Sequence, residues 1–73
     1  MTRWYVPVTP GGTACIYSAG SRGMNKVNAA RTREQAIKNI VADASHMPYG
    51  SWKAMQRRGY TIEVWNMPTD WKP

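Results

Sequence analysis

Cysteine and histidine are almost absent from this sequence, which limits the ways in which its fold can be stabilised. Cys15 and His46 are the single representatives of their types among 73 residues. One cysteine cannot form an internal disulfide, and these two side chains cannot supply the four ligands of a structural zinc site. We therefore expect no metal or other cofactor, and stability that comes from aromatic burial, docking of the C-terminal tail or self-association. An unpaired cysteine also favours a reducing cytoplasm.

Long apolar runs are missing as well. No stretch approaches the roughly 20 apolar residues of a membrane span, and MTRWYVPVTP contains no apolar run that could serve as the core of a signal peptide. We expect no membrane partner. A chain of this length forms one domain. The pattern predicts a domain at residues 1–66 and a tail at 67–73 that only Trp71 could anchor.

Acidic side chains are scarce, whereas cations and aromatic rings are plentiful. Four Asp and Glu face ten Lys and Arg, a net charge of +6, and the chain has four tryptophans and four tyrosines. Such an excess favours polyanions or acidic protein surfaces as partners. The cations that we select as binding residues form two groups, one at Arg22, Lys26, Arg31, Arg33 and Lys38, the other at Lys53, Arg57 and Arg58.

Alternating patterns predict strands near both ends of the chain. Residues 3–8, RWYVPV, alternate in the manner of a strand. Because proline cannot donate to a ladder, either this strand lies at a sheet edge or it ends at Pro7. The TPGG turn then predicts a hairpin with a second strand at 13–18. Residues 27–31 form a candidate third strand, and YTIEVW at 60–65 forms the last.

Capping residues predict two helices between these strands. Thr32 and Gln35 form a capping box, and the helix that follows should end near residue 46 because Met47 precedes a proline. Ser51 caps a second helix at 52–58, which Gly59 ends in a left-handed conformation. The order β-β-(β)-α-α-β predicts an α+β fold, a small antiparallel or mixed sheet of three to four strands with two helices packed on one face.

The two helical segments carry a resemblance. TREQAIKNI and SWKAMQRRGYTIEVW have the form T-x-x-x-A-I-x-N followed by W-x-x-M-x-x-x-G-Y-x-I. This pattern, over residues 32–65, resembles small uncharacterised bacteriophage α+β proteins. The resemblance implies an origin in a bacterial virus and a role in acting on the host. It implies no catalytic residue.

A catalytic site is the weakest of the functional hypotheses. Cys15, His46 and Asp43 could act as nucleophile, base and orienting group. However, Cys15 lies within a predicted strand, and the other two lie near a helix C-terminus, where structural roles explain them. The glycine segments lack the spacing of phosphate-binding loops. We expect no enzymatic activity and no small-molecule substrate.

Binding of a macromolecule fits the composition better. A sheet with helices on one face leaves its other face uncovered, and we expect Tyr5, Tyr17 and Trp65 to project there unless Trp71 closes it. Trp, Tyr and Arg dominate protein interfaces, so an acidic host protein, which the chain modulates or inhibits, is the first hypothesis. The alternative is nucleic acid, bound by the 22–38 segment with exposed rings stacking on bases. The edge strand at 3–8 could also pair with another copy.

Overall fold

The computed structural model describes residues 1–17 and 27–73. In this part of the chain there are two strands and two helices, in the order β1 (Thr2–Val8), α1 (Arg33–Asp43), α2 (Trp52–Arg58) and β2 (Thr61–Met67). The fold is α+β, as predicted. Neither helix is both long and apolar enough to cross a bilayer.

The first and last elements of the chain form the sheet. β1 and β2 pair antiparallel along their whole length, with Trp4 opposite Trp65 and Val6 opposite Glu63. Both strands are rich in β-branched and aromatic residues, which favour the pleated conformation. Helix α1 contacts both strands and also α2. The sheet thus fixes the two ends of the described chain beside each other.

The first strand is an edge strand of the described two-stranded sheet and ends one residue beyond Pro7, with isolated bridges along its other side. Tyr5 exchanges two backbone hydrogen bonds with Ala30, at 2.7 and 2.9 Å, and the Cys15 N–H donates to the Pro7 carbonyl at 2.8 Å. Successive residues of a strand direct their backbone groups to opposite edges. Pro7 therefore turns its missing N–H away from β2, so the proline removes no hydrogen bond from the β1–β2 ladder. β1 pairs with β2 on one side and makes only isolated bridges with described residues on the other.

The described sheet has two strands instead of the predicted three to four. Residues 13–17 and 27–31 make only isolated bridges, Val8 with Ala14, Tyr17 with Val27 and Tyr5 with Ala30. Asn28 explains part of this difference. It is fully buried, its Nδ2 donates to Asp43 Oδ2 at 2.6 Å, and its carbonyl accepts from Asn39 Nδ2 at 3.2 Å. The Asn28 side chain and carbonyl are thus tied to α1, so that carbonyl is not available to a strand ladder, while its backbone N–H donates to the Ile16 carbonyl at 2.7 Å. The predicted loop at 19–26 lies outside the described residues.

Both helices begin at the predicted caps. Thr32 Oγ1 accepts from the Gln35 N–H and Ser51 Oγ accepts from the Ala54 N–H, each at 3.2 Å. The Gln35 side chain donates to Asn39 Oδ1 at 2.9 Å instead of reaching back to Thr32. Two orphan donors are thus satisfied by one hydroxyl each.

The helix ends differ in how well the sequence predicted them. Helix α1 ends at Asp43, before the predicted limit near residue 46, because Ala44 already has non-helical ψ. Helix α2 ends as predicted, with Gly59 at φ +107°. A Cβ at Gly59 would lie 3.3 Å from the Pro10 Cβ, so both the left-handed backbone and the adjacent turn favour glycine there.

The apolar core joins the two helices. Ile40, Ala44 and Met55 are buried together, and half-buried side chains pack around them, namely Cys15, Val41, Tyr49, Trp52 and Tyr60. Val6 and Val8 are buried on the sheet. Because Met55 is the one buried residue of α2, this short helix is held on the molecule mainly through that side chain and Trp52.

Candidate functional site

Three distant segments meet at the ring of Trp4. The Arg31 guanidinium lies 5.5 Å from the centre of this ring, and the Trp71 ring meets it edge-on at 5.5 Å and 78°. We call Trp4, Arg31 and Trp71 the strand cluster. Arg31 Nε also donates to the Arg3 carbonyl at 3.1 Å. The guanidinium is thus positioned by a ring and by a strand, with its remaining N–H groups left to bind other acceptors.

The strand cluster explains how the C-terminal tail docks. After β2 the chain turns, with the Trp71 N–H donating to the Pro68 carbonyl at 2.9 Å, which brings the indole back onto Trp4. The Trp4 Nε1 is buried and has no hydrogen-bond partner within residues 1–17 and 27–73. A buried donor without a partner costs about 1–3 kcal/mol. The ring contacts and burial at this site must offset that cost.

A second aromatic cluster forms beside α2. The Arg58 guanidinium lies 4.1 Å from the centre of the Tyr49 ring, and the Tyr49 and Tyr60 rings are 6.3 Å apart with a tilt of 30°. We call Tyr49, Arg58 and Tyr60 the helix cluster. Burial, and then the charge and hydrogen bond of Tyr49, raise the pKa of the Tyr60 hydroxyl. Tyr60 therefore stays neutral to higher pH than an exposed tyrosine.

The two clusters lie at opposite ends of α1. Arg31 precedes the first residue of this helix, whereas Tyr49 packs on the core cluster that contains Ile40 and Ala44 near its end. An 11-residue helix is about 16 Å long. Arg31 and Arg58, two of the predicted binding residues, therefore belong to two separate sites.

The other predicted cations are exposed at various points of the helices. Arg33, Lys53 and Arg57 have exposed side chains and no ion pair with a carboxylate of the described residues. Lys38 lies 3.8 Å from Glu34, its neighbour one helical turn away. Arg22 and Lys26 lie outside the described residues. Of the predicted cations within residues 1–17 and 27–73, Arg31 and Arg58 are the ones that the fold places on aromatic rings.

The three predicted aromatic residues do not share one face. Trp65 lies directly opposite Trp4, whereas Tyr5 lies opposite Val64. Since directly opposed residues share a face and successive residues alternate, Tyr5 and Trp65 are on opposite faces of the sheet, and their predicted common face is wrong. Trp65 Nε1 donates to Glu63 Oε1 at 3.0 Å. Tyr17 is 49% exposed at the end of a described segment.

A cavity of about 320 Å³ brings together the residues of the catalytic hypothesis. Cys15, Asp43 and His46 all line it, together with Tyr49 and Tyr60 of the helix cluster. Burial, and then the charge of Asp43, raise the pKa of the Cys15 thiol, which donates to the Thr13 carbonyl at 3.8 Å. A thiol held in its protonated form is a poor nucleophile, so this arrangement does not support covalent chemistry at Cys15.

Metal binding finds no support in the described part of the chain. No group of three or more His, Cys, Asp or Glu side chains is close enough there to hold an ion. The Asp43 carboxylate instead accepts a hydrogen bond from Asn28. Its role in the described structure is to anchor a buried amide.

Comparison with known proteins gives no further assignment, because no protein-family model, no curated protein and no solved structure matches this chain. The residues that sequence reasoning missed are Trp4, Tyr49, Tyr60 and Trp71. None of them was selected as a binding residue, and Tyr60 was placed in the predicted last strand and Trp71 in the tail. Their signal was weak, since aromatic residues at strand ends and loops are as common in cores as in sites.

Proposed function

We propose that this chain is a non-enzymatic, phage-derived module that binds an acidic surface of a host protein in the host cytoplasm and inhibits that protein. The phage origin is supported by the resemblance of residues 32–65. The binding activity is supported by one observation above the others. In both clusters an arginine guanidinium lies over an aromatic ring, and among the described residues no carboxylate forms an ion pair with either arginine.

An arginine held in this way is well prepared for a carboxylate. Stacking on a ring restricts the guanidinium plane while its N–H edge still faces outward, and this edge matches the two oxygens of a carboxylate. Less side-chain entropy is then lost on binding. The net charge of +6 speeds the encounter with an acidic surface. Arg58, which makes no hydrogen bond with a described residue, is the better placed of the two.

Nucleic acid remains the second candidate, through phosphate contacts of exposed cations such as Arg33, Lys53 and Arg57. Base stacking, however, requires ring faces that are open to solvent. The ring of Trp4 contacts Arg31 and Trp71, and one face of Tyr49 is occupied by Arg58. The rings of the two clusters are therefore largely in use within the protein, which favours a carboxylate-bearing partner at these two sites. Of the rings predicted to stack on bases, Tyr17 is 49% exposed, and nucleic acid is kept as the second candidate on that ground.

A pull-down from nuclease-treated bacterial lysate, followed by mass spectrometry, tests the proposal. We expect an acidic host protein whose affinity falls about tenfold or more with Arg58→Gln, as for an interface hot spot. Arg58→Lys should recover only part of the affinity because lysine lacks the planar fork. Lys38→Gln is the matched control, since it removes the same charge from a residue that is already paired with Glu34.

The competing outcomes are distinct. If capture disappears on nuclease treatment, and oligonucleotides quench tryptophan fluorescence with a steep dependence on salt, the partner is nucleic acid. If Arg58→Gln and Lys38→Gln weaken binding equally, general charge and not the helix cluster drives association. If neither the untreated nor the nuclease-treated lysate yields a specific protein, the proposal that this chain targets a host protein loses its support.

A further inference from the structure

The outer edge of β2 is an unpaired strand edge in the described structure. Tyr5 bonds to Ala30, so the alternate residues Trp4 and Val6 direct their backbone groups to β2, where they meet Trp65 and Glu63. The residues between and beside these must therefore direct their N–H and C=O groups outward; they are Ile62, Val64 and Asn66. No residue of the described ranges bonds to them. Such an edge is a template for another strand.

Nothing in the sequence of β2 protects this edge. Proteins usually block exposed edges with lysine, proline or a bulge, yet TIEVWNM contains neither lysine, arginine nor proline. All ten cations of the chain lie elsewhere, and Glu63 is the one charged residue of the strand. Val64 is 51% exposed. Two copies that pair through β2 therefore bring no lysine or arginine of this strand against each other.

We propose that two copies of this chain pair through β2, antiparallel about a twofold axis at Val64, to form a continuous sheet in the order β1-β2-β2-β1. In this register Val64 lies opposite its own copy and Ile62 lies opposite Asn66 of the second chain. The outward backbone groups of these residues then exchange hydrogen bonds in the pattern of an antiparallel ladder. Because the same edge serves in both copies, the assembly closes as a dimer.

The side chains of this register are complementary as well. Glu63 of one copy lies opposite Trp65 of the other, in a pair whose backbones approach closely. Within one chain the Trp65 Nε1 already donates to Glu63 Oε1 at 3.0 Å, so this face already carries an indole–carboxylate hydrogen bond. Pairing brings each carboxylate beside a second indole. A parallel arrangement would instead set Glu63 beside Glu63, which like-charge repulsion disfavours.

Sedimentation equilibrium of the full chain, at concentrations up to about 1 mM, measures the expected monomer–dimer equilibrium. Val64→Lys and Val64→Glu should each weaken the dimer about tenfold or more, because like charges then face each other across the axis. An equimolar mixture of the two variants should restore the dimer, since Lys then meets Glu. Gln56→Lys, on the exposed side of α2, is the control for added charge and should leave the dimer intact.

The proposal is overturned if the wild-type chain remains a monomer over this range, or if Val64→Lys dimerises as well as Gln56→Lys. Failure of the mixture to recover would exclude the register centred on Val64. If the Val64 variants unfold, the wild-type chain itself tests the proposed interface. A sample that mixes labelled and unlabelled copies should give an intermolecular nuclear Overhauser effect between the Hα atoms of Glu63 and Trp65, and its absence in a dimer would place the interface elsewhere.

Discussion

The strand cluster and the helix cluster use the same chemistry for different purposes. In the strand cluster the Arg31 guanidinium is 5.5 Å from the ring centre of Trp4 and also donates to the Arg3 carbonyl. In the helix cluster the Arg58 guanidinium is closer to its ring, at 4.1 Å, and makes no hydrogen bond to a described residue. Arg31 is therefore partly committed to holding the fold together, whereas the N–H donors of Arg58 make no bond to a described residue and are open to the proposed partner.

The two clusters also differ in how far apart their residues are in sequence. Residues 4, 31 and 71 of the strand cluster come from the beginning, middle and end of the chain, so this cluster exists only when the whole domain is folded. The helix cluster is built from residues 49–60, around the single short helix α2. The geometry of the helix cluster depends on how firmly α2 is attached to the rest of the fold. A variant that loosens α2 should therefore affect the helix cluster more than the strand cluster.

Removing the side chain that attaches α2 should have the largest effect. Met55 is 1% exposed within the core cluster, and Met55→Ala should lower the free energy of unfolding by about 2–5 kcal/mol through lost burial and the cavity left behind. Urea unfolding followed by tryptophan fluorescence measures the loss. Met47→Ala, at a residue 42% exposed, is the control and should cost under about 1 kcal/mol.

The same variant discriminates between the clusters. If α2 loosens locally before the domain unfolds, hydrogen exchange should quicken in residues 52–58 while the β1 amides keep their protection. Equal loss of protection in both regions would show that the helix cluster is not an independent unit. A cost as small as that of Met47→Ala would contradict the assignment of Met55 to the core.

Local chemistry made the helices predictable from the sequence. A hydroxyl three residues before a helical N–H and a glycine with positive φ act within one turn, so Thr32, Ser51 and Gly59 could be assigned from their neighbours alone. The end of α1 was less well predicted. The proline after Met47 sets the last residue that the helix could reach, but it does not determine whether the helix ends earlier. The sheet was harder still, since pairing partners are set by contacts between distant segments.

The strand cluster shows where that limit lies. Residues 27–31 were considered as a strand, but with no basis for choosing its partner. Once Ala30 is paired antiparallel with Tyr5, the next pair along is Arg31 with Trp4, and the cation–ring contact follows. The information missing from the sequence was therefore the register in which residues 27–31 pair with β1. The buried Asn28 that sets this segment against α1 has no local signature, because its partners lie 11 and 15 residues away.

Removing the tail indole should affect the strand cluster and leave the helix cluster unchanged. Trp71→Ala deletes the edge-on contact with Trp4, worth about 0.5–1.5 kcal/mol beyond the lost burial. We expect a total loss of about 1–2 kcal/mol in unfolding free energy and a red shift of tryptophan emission as Trp4 meets water. Thermal unfolding and emission spectra measure both.

Lys72→Ala is the matched control for the tail. It changes an exposed neighbour of Trp71 and should alter stability by less than about 0.5 kcal/mol. Were Trp71→Ala to behave like this control, the tail would contribute nothing to the fold. Binding of the acidic partner through Arg58 should survive Trp71→Ala, since the two clusters lie at opposite ends of α1.

Alkaline titration should give the smallest effect, and we expect it to come from Tyr60 of the helix cluster and its neighbour Cys15. Burial raises the pKa of Tyr60 above its ordinary 10.0 and that of Cys15 above 9.0. In each case the unfolded chain loses its proton at a lower pH than the folded chain, so the folded state binds more protons in between. Stability is then fully present below the ordinary pKa and falls as pH rises through the raised one. The loss should begin near pH 9 with Cys15 and continue above pH 10 with Tyr60.

Urea unfolding at a series of pH values, compared between the wild type and two variants, separates these contributions. Cys15→Ala should remove the earlier part of the decline and Tyr60→Phe the later part, because neither replacement ionises. The tryptophan rings of the strand cluster do not titrate, so Trp71→Ala should shift the whole stability profile without changing its slope. The opposite result would be a slope of unfolding free energy against pH that changes in Trp71→Ala and persists in Tyr60→Phe. The groups that titrate on unfolding would then lie at the strand-cluster end of α1, and the contrast between the two clusters would be reversed.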